Sequence, residues 1–230
     1  MTLVKICGLR DAETAIEAAK AGADFVGIMF AKSKRRVTPQ ECHDIVEALH
    51  EHRHREEQAT FEGPQPGEVR GSSWFGAWAD AVEDASFRCR PLIVGVFADM
   101  GLEEVNDIAD AAHLDLVQLS GAESWDFAAK VERPVIKALH VGGEAAEELF
   151  ERIEPGRAAS LMLDTKSETL RGGTGEAFDW TVAAEVARTY PVMLAGGLDP
   201  GNVALAIEQV QPWAVDVSTG VESDGRKDRE

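Results

Sequence analysis

In the stretch VKICGLRD, residues 4–11, a lysine and a cysteine stand two residues apart in a short apolar run that ends in glycine. Successive side chains of a strand point to opposite faces, so Lys5 and Cys7 share one face while Val4 and Ile6 take the other. A charge turned into a core is costly unless it is paired, so Lys5 needs a carboxylate beside it. The same alternation singles out Lys137, Asp164, and Asp216 with Ser218 as inward polar residues of later runs, with Gln118 less firmly placed. Asp216 is the expected partner of Lys5. Cys7, Asp164 and Ser218 fall at the C-terminal ends of their runs, where parallel α/β barrels build their sites.

Two glycine clusters add a second kind of chemistry. AGGLDPGNV at 195–203 and STGVE at 218–222 offer backbone N–H groups at the ends of the last two runs, the arrangement that holds a phosphate. KSKRR at 32–36 is the densest basic patch, and a guanidinium there suits a substrate carboxylate. Other residues carry blander readings. Cys42 and Cys89 read as small buried hydrophobes, Lys137 as structural, and Asp164 taken alone could simply cap a turn. In HEHRHREE the spacing of two between His50, His52 and His54 does not share a helix face, so no metal site is expected.

The elements that must position these residues alternate. Apolar, β-rich runs at 3–7, 24–30, 92–97, 115–120, 134–139, 160–164, 191–197 and 214–220 are separated by helical periods at 12–21, 39–50, 102–112, 124–131, 144–153, 179–189 and 200–209. TPQE at Thr38 and DPGN at Asp199 are helix-start signals. Eight strands in strict alternation with helices predict an α/β fold, a closed parallel (β/α)8 barrel of TIM type, since an open sheet of that width leaves two edges. No Gly-x-Gly-x-x-Gly follows the first strand, which speaks against a dinucleotide fold. We expect one domain over 1–230 with a polar surface insertion at about 51–90, holding a short helix near 73–82. SDGRKDRE stands where an eighth helix is expected, so that helix is absent or the first strand is less covered. The glycine-rich loop at 165–180 could fold over a ligand.

Composition bounds the partners. The 230 residues are 44% hydrophobic and carry a net charge of −18, which opposes nucleic acid and acidic membranes as partners. The acidic surface suggests adaptation to high salt. No apolar stretch approaches the roughly 20 residues of a membrane span, and no signal-peptide pattern opens the chain. Three widely spaced cysteines argue against a disulfide framework, and a cytoplasmic protein is expected.

Taken together, KICGLRD, GADFVGIMFAKSKRRVTP, VGVFAD, LDLVQLSG, VIKAL, LMLDT, GGTGEAFDW, PVMLAGGLDPGNV and VDVSTGVE resemble the phosphoribosylanthranilate isomerase family of tryptophan biosynthesis, in the family's order. The resemblance implies a (β/α)8 barrel without metal or organic cofactor that performs an Amadori rearrangement of a phosphorylated aminosugar, as monomer or homodimer. It implies that Cys7 is the general base at C2′ and Asp164 the general acid at the ring oxygen. Arg36 matches the arginine for the anthranilate carboxylate and Asp216 a second site aspartate; Gly196, Gly197, Ser218 and Gly220 match the phosphate loops, with Thr219 a mild change among them. Ser120 stands where the family usually has histidine. Two other readings stay open: a bifunctional isomerase that also acts on a second aminoaldose, which usually uses two aspartates, and a non-catalytic phosphosugar-binding barrel.

Overall fold

Near-continuous apolar runs fit strands covered on both faces, and in the computed structural model, which describes residues 1–50, 59–142, 144–164 and 180–228, they close on themselves. The parallel strands β1 (Leu3–Leu9), β2 (Phe25–Met29), β3 (Leu92–Phe97), β4 (Leu116–Leu119), β5 (Val135–His140), β6 (Ser160–Asp164), β7 (Val192–Ala195) and β8 (Ala214–Val217) pair in sequence order, with β8 returning to β1. The expected barrel is the observed one. Its closing register sets Lys5 directly beside Asp216.

The helices follow the signals that start them. In α1 (Ala12–Lys20) Asp11 caps Thr14 N–H at 2.9 Å. Before α2 (Pro39–His50), Thr38 and Glu41 exchange side chain and backbone bonds at 2.7 and 3.2 Å, a reciprocal capping box. After α3 (Ser73–Cys89) come α4 (Leu102–Ala111), α5 (Trp125–Ala128), α6 (Ala146–Glu151), α7 (Thr181–Ala187) and α8 (Val203–Val210), the last entered through an Asp199–Asn202 loop bonded at both side chains.

The insertion is the main departure from expectation. Instead of a short helix on a polar surface, α3 has 17 residues and runs beneath the N-terminal ends of the strands. Trp74 donates its indole N–H to Ala158 O at 2.7 Å, just before β6, and Phe75 meets Tyr190 edge-on at 5.6 Å, just before β7. Further along, Val82, Ala85 and Cys89 pack with Phe25, Leu92, Met193 and Ala214, and Glu83 accepts the Trp213 indole N–H at 2.8 Å. These aromatic and aliphatic residues recur on one face of the helix, and burial of that face fixes it across the barrel floor. Two carboxylates tighten the same rim: Asp24 accepts from Val4 N–H at 2.9 Å, and Asp115 from Ile93 and Ala59 N–H at 2.7 and 3.1 Å.

Beyond β8 the described residues form a 3-10 turn (Thr219–Val221) and a hairpin of β9 (Glu222–Ser223) and β10 (Arg226–Lys227). Asp224 and Gly225 take φ of 54 and 75°, the left-handed pair of a two-residue hairpin turn. This hairpin lies where an eighth helix was expected to be missing. It leans over the end of β1 through Arg10, which donates to Gly225 O at 2.9 Å.

Candidate active site

Lys5 answers to Asp216 as its position demanded. The ammonium is fully buried and sits 2.7 Å from the carboxylate. Burial opposes its charge, but Asp216 and then Cys7 outweigh that and raise its pKa above the ordinary lysine value. Space for this pair comes from across the barrel wall. A Cβ on Gly27 of β2 would stand 2.7 Å from the Cys7 sulfur and 3.1 Å from the Lys5 nitrogen, so only glycine leaves both their places.

Cys7 sits one step nearer the mouth, with its carbonyl accepting the Ser218 hydroxyl at 3.1 Å. Burial pushes the Cys7 thiol up, and the neighbouring Lys5 ammonium pulls against it without cancelling it. At Gly8 the ladder with β2 shifts register, with φ of +81°. A Cβ there would meet the Arg35 side chain at 2.6 Å, so the glycine is what lets that arginine cross the strand end.

Asp164, Ser218 and Thr219 line the same cavity as Cys7, about 310 Å³ at the C-terminal mouth, with Gly196 and Gly197 on one wall. Gly196 and Gly197 hold φ of +100 and +65°, which side chains resist. Gly220 does not line the cavity but packs its Cα against the β7 loop, where a Cβ would overlap Leu198 O. A larger cleft, about 620 Å³ between the β1–α1 turn and the hairpin, is lined by charged residues and holds none of the inward strand residues.

Two expectations change. In β5 it is Ile136, Ala138 and His140 that face inward, whereas Lys137 lies outside the barrel wall with its amine on Ala138 O at 3.2 Å. Burial lowers the Lys137 pKa, with Glu123 opposing. The β2–α2 loop also sorts its arginines differently: Arg36 is exposed and Arg35 half-buried across Gly8 at the end of β1, and neither lines the cavity. Arg35 grips Glu222 with Nε and Nη2 at 2.8 and 2.9 Å, and Lys227 adds a third bond to that carboxylate at 3.0 Å. This grip, Arg35 first, lowers the Glu222 pKa to about 2.

Sequence reading missed His140. Its Nδ1 lies 3.3 Å from Asp164 and its Nε2 3.1 Å from Ser120 O. The available signal was Ala138, a small residue suited to a crowded interior, which puts His140 on the inward face. Gln118 does face inward; it donates to the Ser120 hydroxyl at 2.9 Å and leaves its buried carbonyl oxygen without a partner among the described residues. Among the described residues no three His, Cys, Asp or Glu side chains gather as a metal site, and no helix is long and apolar enough to cross a membrane. His52, His54 and the loop at 165–179 lie outside the described residues.

Comparison with known proteins agrees with this fold. Residues 75–230 match the family model described as N-(5'phosphoribosyl)anthranilate (PRA) isomerase. The chain is 40% identical to N-(5'-phosphoribosyl)anthranilate isomerase of Dehalococcoides mccartyi, over 99% of this chain and 91% of that one. It is also 43% identical to the multifunctional tryptophan biosynthesis protein of Phycomyces blakesleeanus, covering 98% of this chain but only 31% of that longer one. The crystal structure of phosphoribosyl anthranilate isomerase from Thermotoga maritima superposes with a TM-score of 0.72 at 33% identity, covering 100% and 94% of the two chains. The chain belongs to the N-(5'-phosphoribosyl)anthranilate isomerase family.

Proposed function

We propose that the barrel-mouth cavity carries out the Amadori rearrangement of phosphoribosylanthranilate to 1-(2-carboxyphenylamino)-1-deoxyribulose 5-phosphate, with Cys7 as base and Asp164 as acid. The observation that carries this reading is their placement on β1 and β6 around one cavity large enough for a sugar between them. Asp164 gives its proton to the furanose ring oxygen as the bond from C1′ to that oxygen breaks toward oxygen, and the amine lone pair forms C1′=N. The Cys7 thiolate then takes the C2′ proton, the C–H electron pair forms C1′=C2′, and the C=N electrons return to nitrogen. Transfer of the C2′ hydroxyl proton to C1′ completes the ketone.

The remaining residues bind. The Lys5–Asp216 pair fixes the floor under the thiol, and the Gln118 carbonyl is a ready acceptor for a substrate hydroxyl. Arg35 takes the part for the anthranilate carboxylate that the resemblance gave to Arg36, because among the described residues its grip on Glu222 uses Nε and Nη2 and not Nη1. Gly196, Gly197, Ser218, Thr219 and Gly220 shape the phosphate end. We further propose one catalytic domain over 1–230 acting without metal or organic cofactor, in the cytoplasm, as a monomer or homodimer, with an acidic surface suited to salt.

Loss of phosphoribosylanthranilate fluorescence, followed in low and high salt without added metal, tests the reading. The wild type turns substrate over, and Asp164→Asn and Cys7→Ser each lower kcat at least about 100-fold. A folded wild type that binds phosphosugars but stays silent in both buffers overturns it in favour of a binding barrel.

A further inference from the structure

His140 makes two contacts at the cavity mouth. Its Nε2 stands 3.1 Å from the Ser120 carbonyl, which can only accept, so Nε2 carries a hydrogen and donates it. In the neutral ring the other nitrogen, Nδ1, is then an acceptor, and it faces the Asp164 carboxyl at 3.3 Å. At that distance one proton can lie between the two groups. The Ser120 carbonyl thereby turns the ring so that the acid proton of Asp164 has a partner.

We propose that His140 is a positioning residue for the acid step, holding one proton jointly with Asp164 and restoring it after each turnover. The proposal rests on the isomerase reading above. Asp164 delivers the shared proton to the ring oxygen and becomes a carboxylate opposite Nδ1. The imidazole, half exposed at 50%, then takes a proton from water at Nδ1, and the pair is refilled. No atom beyond that one proton changes hands. Ser120 has a second part in this, since its backbone, not its side chain, orients the ring, while its hydroxyl is engaged by Gln118.

The other titratable groups around the pair, among the described residues, are Cys7 and Asp216 across the cavity with Lys5 beneath them, and Glu144, Arg152, Glu123 and Asp99 on neighbouring loops. Glu144 is engaged by Arg152 at 2.6 Å, and Glu123 by the N–H groups of Asp99 and Gly121 at 2.6 and 2.9 Å. None of those bonds reaches the imidazole.

When the acid of a catalytic pair loses its proton at lower pH than the base does, the lower limb of the rate profile reports the acid. The plateau then falls by the factor through which that limb moves. Burial raises the Cys7 thiol, and so moves the base limb up. His140→Asn is expected to shift the lower limb of kcat down by about one pH unit and to lower the plateau about tenfold together with it, leaving KM within about twofold. Added imidazole is expected to restore rate to His140→Gly and to leave the wild type unchanged. A plateau that falls while the limb stays in place, an unaltered profile, or failure of imidazole to rescue a folded His140→Gly overturns the proposal. An active wild type with an unaltered His140→Asn removes this proposal alone; a silent wild type removes the isomerase reading and this with it.

Discussion

The two ends of the barrel solve opposite problems with the same eight strands. At the floor, α3 lays Trp74, Phe75, Val82 and Ala85 under the strand starts, and backbone N–H groups are tied off by Asp24 and Asp115. At the mouth, glycines replace side chains at positions 8, 27, 196 and 197, a thiol is buried beside a cation, and a glutamine carbonyl has no partner among the described residues. The floor is closed by packed side chains and leaves one buried donor, the Trp78 indole N–H, without a partner among the described residues, whereas the mouth is left with open space as well as an unmet acceptor. Stability should therefore reside mostly below, and activity above.

That division can be broken most forcefully at Phe75. Phe75→Ala removes a fully buried ring from under the barrel and should cost about 3–5 kcal/mol in urea unfolding, with kcat within about twofold where the protein is still folded. A loss of activity matching the loss of stability would show that the two ends are not separable. Gly27→Ala is the intermediate case, because the new Cβ meets the Cys7 sulfur at 2.7 Å. It should lower kcat at least about tenfold while costing only about 1–3 kcal/mol of stability; normal turnover would mean that the thiol need not stay where it is.

The smallest effect concerns the hairpin that reaches over the mouth. Glu222 ionises at about 2 in the folded protein against an ordinary 4.5. A depressed carboxyl contributes stability above its unfolded pKa and loses it as pH falls through the folded one, so this contribution drains away from about pH 4.5 to about pH 2. It amounts to about 2 kcal/mol after allowing for partial exposure of Arg35. Glu222→Gln should flatten the acid branch of the stability curve by that amount, as read by urea midpoints at several pH values. An unchanged acid branch would detach the Arg35–Glu222 grip from folding.

Much of this was legible in the chain. Lys5 and Cys7 on one strand face, with Asp216 as the required counter-charge, followed from the period of two and the cost of a buried ion. Asp164 and Ser218 at strand ends pointed to the mouth for the same reason. Lys137 went the other way because a lysine has a long apolar stem that can lie along the outer wall and keep its amine on a carbonyl. That one error of parity also hid His140, three residues on. Arg35 and Arg36 differ by a single step, and which of them crosses the strand end depends on the room above Gly8. The insertion looked polar because its first half is, while the apolar face of α3 has meaning only once there is a floor to cover.

The sequence by itself determined the alternation of strand and helix, the closure into a barrel and the pairing of Lys5 with Asp216, because these rest on periodicity and on the cost of desolvating a charge. Tertiary structure alone decided that α3 seals the floor, that Arg35 rather than Arg36 crosses the strand end, and that His140 faces Asp164. Each of these depends on distances between segments remote in the chain. Local propensity carries no information about which remote surfaces leave room for a side chain.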